Sequence, residues 1–183
     1  MKDLPEHLGG HGNRNHIDFG ALEFLKKEFE IESLLDVGCG LGEMKETCDA
    51  QGISYFGIDG DWSVKRRHDQ VLIHDYTTGP SPLEGKRFDC GWSTEFLEHV
   101  EESYVKNFMY DFARCDFAMV THAMPGKKGH HHVNCKKPSY WKAVFHDHGF
   151  QFLEKETLLL RASSTMKREF VRNHGLLFKK KEQ

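Results

Sequence analysis

Leu34-Leu-Asp-Val-Gly-Cys-Gly-Leu-Gly42 is an apolar run broken by one acid and closed by three glycines at alternate positions. A short apolar stretch bounded by glycine reads as a strand covered on both faces. Gly38, Gly40 and Gly42 let the backbone take positive φ and come close to a bound molecule. Glu43-Met-Lys-Glu46 then opens a helix, so the unit is a strand, a glycine turn and a helix. The spacing is G-x-G-x-G. In the dinucleotide fingerprint G-x-G-x-x-G a pyrophosphate rests on the helix N-terminus. Here the last glycine is displaced and Glu43 brings a carboxylate to the place a phosphate would occupy, which favours a ligand without phosphates.

Working outward, Phe19, Leu22, Phe24, Leu25 and Phe29 recur at helical spacing, after a Gly-, His- and Asn-rich arm at residues 1–17 that reads as flexible. A helix near 43–51 ends at Gly52, and strands are expected at 53–58 and 71–74, each closed by an acid, Asp59 and Asp75. A fourth strand at 88–92 should lead through Ser93 and Thr94, as N-caps, into a helix at 95–100 and an amphipathic helix near 102–114. A fifth strand at 118–121 precedes a long loop at 123–138, Ser139 caps a helix ending at Gly149, and strands follow at 150–153 and 176–178. Strands alternating with helices throughout predict one α/β domain over residues 18–183, with a mostly parallel, doubly wound sheet of seven strands and helices on both faces.

Composition narrows the classes. The 183 residues can bury one core without staples, and five cysteines with no C-x-x-C spacing indicate neither a disulfide framework nor a thiolate zinc site. We expect a reducing, cytoplasmic setting and no membrane association, because no apolar run approaches the ~20 residues of a membrane span. With a net charge of −3 and lysines only in short pairs (127/128, 136/137) and at the tail, charge alone does not point to nucleic acid, a terminal ribose excepted. The pattern does not fix an oligomeric state.

In such sheets ligands bind beyond the carboxyl ends of the strands, and the unusual residues of this chain all fall there. Asp59 lies 21 residues after Gly38, near the ~20-residue spacing at which an acid accepts from ribose hydroxyls. The alternative is a helix N-cap. Asp75, with Tyr76 beside it, is placed to accept from an adenine amino group, or else is a turn residue before Thr77. S-adenosylmethionine fits: it offers ribose and adenine, and its amine and sulfonium are cations that an acidic loop attracts. Trp62 could flank the adenine, whereas Trp92 and Trp141 read as core.

The stretch from Leu34 to Gly42, Gly57-Ile-Asp59, His74-Asp75 and Phe88-Asp-Cys-Gly-Trp-Ser-Thr-Glu-Phe-Leu-Glu-His-Val100 resemble, in order, the motifs of class I S-adenosylmethionine-dependent methyltransferases. The resemblance implies a Rossmann-like fold. It implies Asp36, Gly38, Gly40 and Gly42 around the methionine part, Asp59 on the ribose and Asp75 on the adenine, with Cys39, Gly60, Tyr76 and Ser93 completing the expected cofactor set. A nicotinamide dehydrogenase is disfavoured by the glycine spacing and Glu43.

Glu95-x-x-Glu98-His99, if helical, aims two carboxylates and an imidazole at a common spot. A histidine from the tract at 130–132, taken as His132, would complete an oxygen and nitrogen set suited to Mg²⁺, Mn²⁺ or Zn²⁺. This pattern is similar to the metal site of small-RNA 3′-terminal 2′-O-methyltransferases and ubiquinone-pathway O-methyltransferases, in which a metal holds vicinal oxygens. The expected acceptor is then a small polyol, glycan or terminal ribose. Without a metal, His99, His131 or His132 would act as general base. A non-catalytic cofactor-binding module is the reading from another class.

Overall fold

The structure is a computed structural model that describes residues 4–10, 16–63 and 69–182. Of the arm expected at 1–17, residues 1–3 and 11–15 lie outside the described residues. The chain forms α1 (Phe19–Phe29), β1 (Ser33–Val37), α2 (Met44–Ala50), β2 (Ser54–Asp59), β3 (Val71–Ile73), β4 (Phe88–Ser93), α3 (Val105–Phe112), β5 (Cys115–Val120), α4 (Pro138–Asp147), β6 (Phe150–Phe152), α5 (Glu154–Ser163), α6 (Phe170–His174) and β7 (Leu176–Lys180).

The strands make one sheet in the order β3-β2-β1-β4-β5-β7-β6. The first five are parallel, and β7 runs antiparallel to both β5 and β6. The sheet is therefore the expected mostly parallel, doubly wound one. Alternation along each strand explains why both faces are covered. Leu35, Val37, Ala118, Val120, Leu176 and Phe178 point to a face packed by Phe108, Phe112, Trp141 and Phe145, from α3 and α4. Leu34, Met119 and Leu177 point to the other, packed by Leu22, Leu25, Leu160 and Val171, from α1, α5 and α6.

Asp18 is fully buried and caps α1, accepting from the Ala21 N–H at 3.1 Å. It also accepts from the Thr165 N–H at 2.9 Å, so one carboxylate joins the start of the domain to the segment after α5.

The expected regular alternation fails in places. The stretch 95–100 is not a helix: Glu95 sits at φ 56, and only a 3-10 turn forms at Leu97–His99. Ser93 is no N-cap, because it ends β4 and its hydroxyl donates to the Val37 carbonyl at 2.8 Å. The helix expected from 102 is a 3-10 turn at Glu102–Tyr104 followed by α3. Ser139 does not cap α4, which starts a residue earlier at Pro138 with Lys137 as N-cap, since proline suits a first turn that needs no N–H. Helices α5 and α6 are additions to the expected elements.

Neighbours β2 and β4 lie on opposite sides of β1, so the strand order reverses above the carboxyl ends of β1 and β4. Ligands of open α/β sheets bind at such a reversal.

Candidate active site

At that reversal lies a cavity of about 840 Å³. The glycine turn forms one wall. Gly38, Gly40 and Gly42 all take positive φ, at 78°, 52° and 77°. A Cβ on Gly38 would stand 2.4 Å from the Phe96 ring, so the position tolerates no side chain. The N–H groups of Gly38 and Cys39 both donate to the Ile58 carbonyl, at 2.8 and 3.1 Å. Asp59 accepts from the Gly40 N–H at 2.7 Å through one oxygen and from the Asp61 N–H at 2.8 Å through the other. This acid thus shapes the turn as well as facing the cavity.

Asp36, Gly38, Cys39, Gly40, Asp59, Gly60, Asp75, Tyr76, Glu95, His99, His131 and His132 line the cavity together. Gly42, Ser93 and Glu98 stand behind its walls. Trp62 is exposed and outside the lining, Trp141 is buried in the core, and Trp92 is both buried and part of the wall. Burial pushes the Asp36 carboxyl up to about 7, although the Tyr55 hydroxyl donates to it at 3.0 Å. For Asp75, burial pushes up but hydrogen bonds from His7 and Thr77 outweigh it and leave the carboxyl below its ordinary range.

Beside the glycine turn, Glu98, His99 and His132 bring one ligand atom each to within 4.8 Å of one another. Glu95 is not in that group, because its left-handed backbone turns it out of the helix-like series. It lines the cavity instead, its N–H donating to the Thr121 hydroxyl at 2.9 Å. The loop after β5 is clamped to this turn: the N–H groups of Val133 and Asn134 both donate to the Glu98 carbonyl at 3.0 Å. His99 Nδ1 donates to the His130 carbonyl at 2.8 Å, and His132 Nδ1 donates to the Lys127 carbonyl at 3.0 Å. Both rings therefore keep an Nε2 lone pair free for a ligand.

Glu98 is fully buried, and neither of its oxygens has a hydrogen-bond partner among the described residues. Burial pushes its carboxyl well up, and the nearby Glu95 carboxylate pushes it further. Burial also pushes His99 down to about 4, with His132 adding to the effect, so its imidazole is neutral at physiological pH.

Other wall residues carried no motif. Arg168 comes from the segment between α5 and α6, Phe170 is the first residue of α6, and Tyr104 comes from the turn before α3. Lys127 and Arg168 both act on Glu95, pulling its carboxyl down against the stronger upward push of burial. An isolated arginine in Met166-Lys-Arg-Glu169 gives no spacing from which this placement could be read.

A family model described as a methyltransferase domain matches residues 11–115, more than half of the chain. The chain belongs to this methyltransferase family. It is an S-adenosylmethionine-dependent methyltransferase domain, as the order of its motifs implied. Solved structures share its fold. One is an S-adenosylmethionine-dependent methyltransferase from Archaeoglobus fulgidus, at 16% identity and a TM-score of 0.57 over 85% of this chain and 91% of that one. Another is the methyltransferase domain of bacterial CtHen1, at 15% identity and a TM-score of 0.59 over 90% and 97%. A third is the [4+2]-cyclase SpnF, at 16% identity and a TM-score of 0.57 over 83% and 75%. Comparison with curated protein sequences finds no match. No helix among the described residues is long and apolar enough to cross a membrane.

Proposed function

We propose that the domain is a metal-assisted O-methyltransferase that acts on an acceptor with neighbouring hydroxyls, such as a polyol, a glycan or a terminal ribose. The observation that carries this reading is the Glu98 carboxylate, buried with two unpartnered oxygens and facing two imidazoles whose Nδ1–H groups are both fixed by backbone carbonyls. Without a partner, burial holds this group in its protonated form; a divalent cation would supply the partner that lets it ionise. Glu98, His99 and His132 would hold it, with Glu95 facing the same space from the cavity wall. Mg²⁺, Mn²⁺ and Zn²⁺ all suit such a set. When bound, the ion orients acceptor oxygens and lowers the pKa of the reacting hydroxyl.

The chain's own residues do the rest. With the donor bound, Asp59 would accept from its ribose and Asp75 from its adenine, while Asp36 would meet its cationic methionine end beside the glycine turn. Methyl transfer is then an in-line displacement whose rate depends on positioning the acceptor oxygen against the methyl group. Lys127, Lys128 and Arg168 on the same cavity give the acceptor side a positive rim.

The metal-independent reading rests on a different residue. His131 lines the cavity at φ 44, with an Nε2 that has no hydrogen-bond partner among the described residues, and would take the acceptor proton. The test uses labelled S-adenosylmethionine and a panel of vicinal-diol acceptors, with and without chelator. Chelation and Glu98→Ala should each abolish transfer while calorimetry shows cofactor binding little changed. Transfer that survives both, and is lost in His131→Ala, would replace the metal with the base.

A further inference from the structure

Residues 4–10 lie across the cofactor end of the cavity. His7 Nε2 donates to Asp75 Oδ2 at 2.9 Å, while the other oxygen of Asp75 accepts from the Thr77 N–H at 2.9 Å. Leu8 lies so close over Gly60 that a Cβ there would meet its Cδ2 at 2.5 Å. A Cβ on Gly10 would fall 2.3 Å from the His130 ring, and His130 Nε2 donates to the Leu8 carbonyl at 3.3 Å. Gly9 and Gly10, at φ 83° and 82°, give the backbone the bend this path needs. The segment thus joins the acid after β3 to the histidine loop after β5.

It roofs the cavity and does not fill it. The same space of about 840 Å³ is walled by Glu6, His7 and Leu8 on one side and by Asp36, Gly38 and Asp59 on the other. The geometry points to residues 5–10 as a strap that retains the methyl donor, with His7 as a positioning residue that fixes the Asp75 carboxylate toward the adenine. A carboxylate has about four lone-pair sites, so Asp75 can accept from His7 and from the base together. Because the strap also holds His130, closure over the donor steadies the loop that carries His132. This inference rests on the reading of Asp75 as the adenine acceptor.

The test is the release of S-adenosylhomocysteine from the full chain, followed by tryptophan fluorescence in stopped flow. His7→Ala should release it about tenfold faster, the scale expected for losing a hydrogen bond to a charged group. The double variant with Leu8→Ala should be faster still, with association rates nearly unchanged. His7→Gln, which keeps a donor near the Nε2 position, should recover slow release. A merely structural role would lower the melting temperature of the ligand-free variants, and we expect it to hold within about 2 °C. Unchanged release in both variants would overturn the strap, and so would tighter binding, since that would make the segment a plug. If the wild-type chain bound no S-adenosylhomocysteine, the cofactor reading of Asp75 would fall and the strap with it; normal binding with unchanged release removes the strap alone.

Discussion

Asp36→Asn separates the cost of a buried acid from its use. Asp36 stands on β1 with 6% of its surface exposed, accepts from Tyr55 and faces the cavity. Burial, opposed by the Tyr55 hydroxyl and reinforced by Asp59, pushes its carboxyl from 3.8 up to about 7. The folded chain therefore holds this proton more tightly than the unfolded chain does. Its contribution to stability falls as the pH rises from about 4 to about 7, by roughly 4 kcal/mol in all, at about 1.4 kcal/mol per unit. A cationic amine in the cavity favours the ionised form. Binding S-adenosylmethionine below pH 7 must then expel a proton, so affinity should be about tenfold weaker at pH 6 than at pH 8, or ~1.4 kcal/mol. Calorimetry in two buffers of different ionisation enthalpy reads the proton directly: close to one released at pH 6 and almost none at pH 8. Asparagine keeps an acceptor for Tyr55 but cannot ionise. The variant should therefore be more stable than wild type at pH 8, bind the donor more weakly there, and lose the pH dependence of binding. A wild-type affinity that is flat from pH 6 to pH 8, with no buffer-dependent heat, would mean that Asp36 does not give up a proton when the donor binds.

Two further changes test the walls of the site. Gly38→Ala forces a side chain into positive φ against Phe96, 2.4 Å away; strain of ~1–3 kcal/mol should lower the melting temperature, and calorimetry should show donor binding weakened at least tenfold. Asp111→Ala removes the acceptor of the buried Tyr76 hydroxyl at 2.7 Å and of the Ser81 hydroxyl at 2.6 Å. Urea titration should show a loss of about 2–4 kcal/mol, and a variant as stable as wild type would mean that water replaces the carboxylate.

Much of this was legible where a residue's role is local. The apolar run at 34–37, the acids closing β2 and β3 and the left-handed glycines need only strand burial and backbone sterics, and those are written in the nearest neighbours. The stretch 95–100 misled because its composition suits a helix, while its conformation is set by Thr121, 26 residues away, which accepts from the Glu95 N–H. Glu98, His99 and His132 were nominated by residue type. What brings them together is the Glu98 carbonyl gripping Val133 and Asn134, a long-range backbone contact with no sequence signature. Helix α5 is not legible because only Thr157 and Leu160 of its ten residues are buried, leaving little apolar periodicity, with Leu158 and Leu159 facing outward. The antiparallel β7 follows from a reversal after α6 that no local pattern encodes.

The metal site at Glu98, His99 and His132 is tested most directly by titrating Mn²⁺ into the chain saturated with S-adenosylhomocysteine, followed by electron paramagnetic resonance. One Mn²⁺ per chain should bind in the wild type, displaced by excess Mg²⁺ or Zn²⁺, and none in Glu98→Ala, whose cofactor affinity should stay near that of wild type. Free-ion spectra throughout the wild-type titration, or equal Mn²⁺ binding by the Glu98→Ala chain, would contradict it.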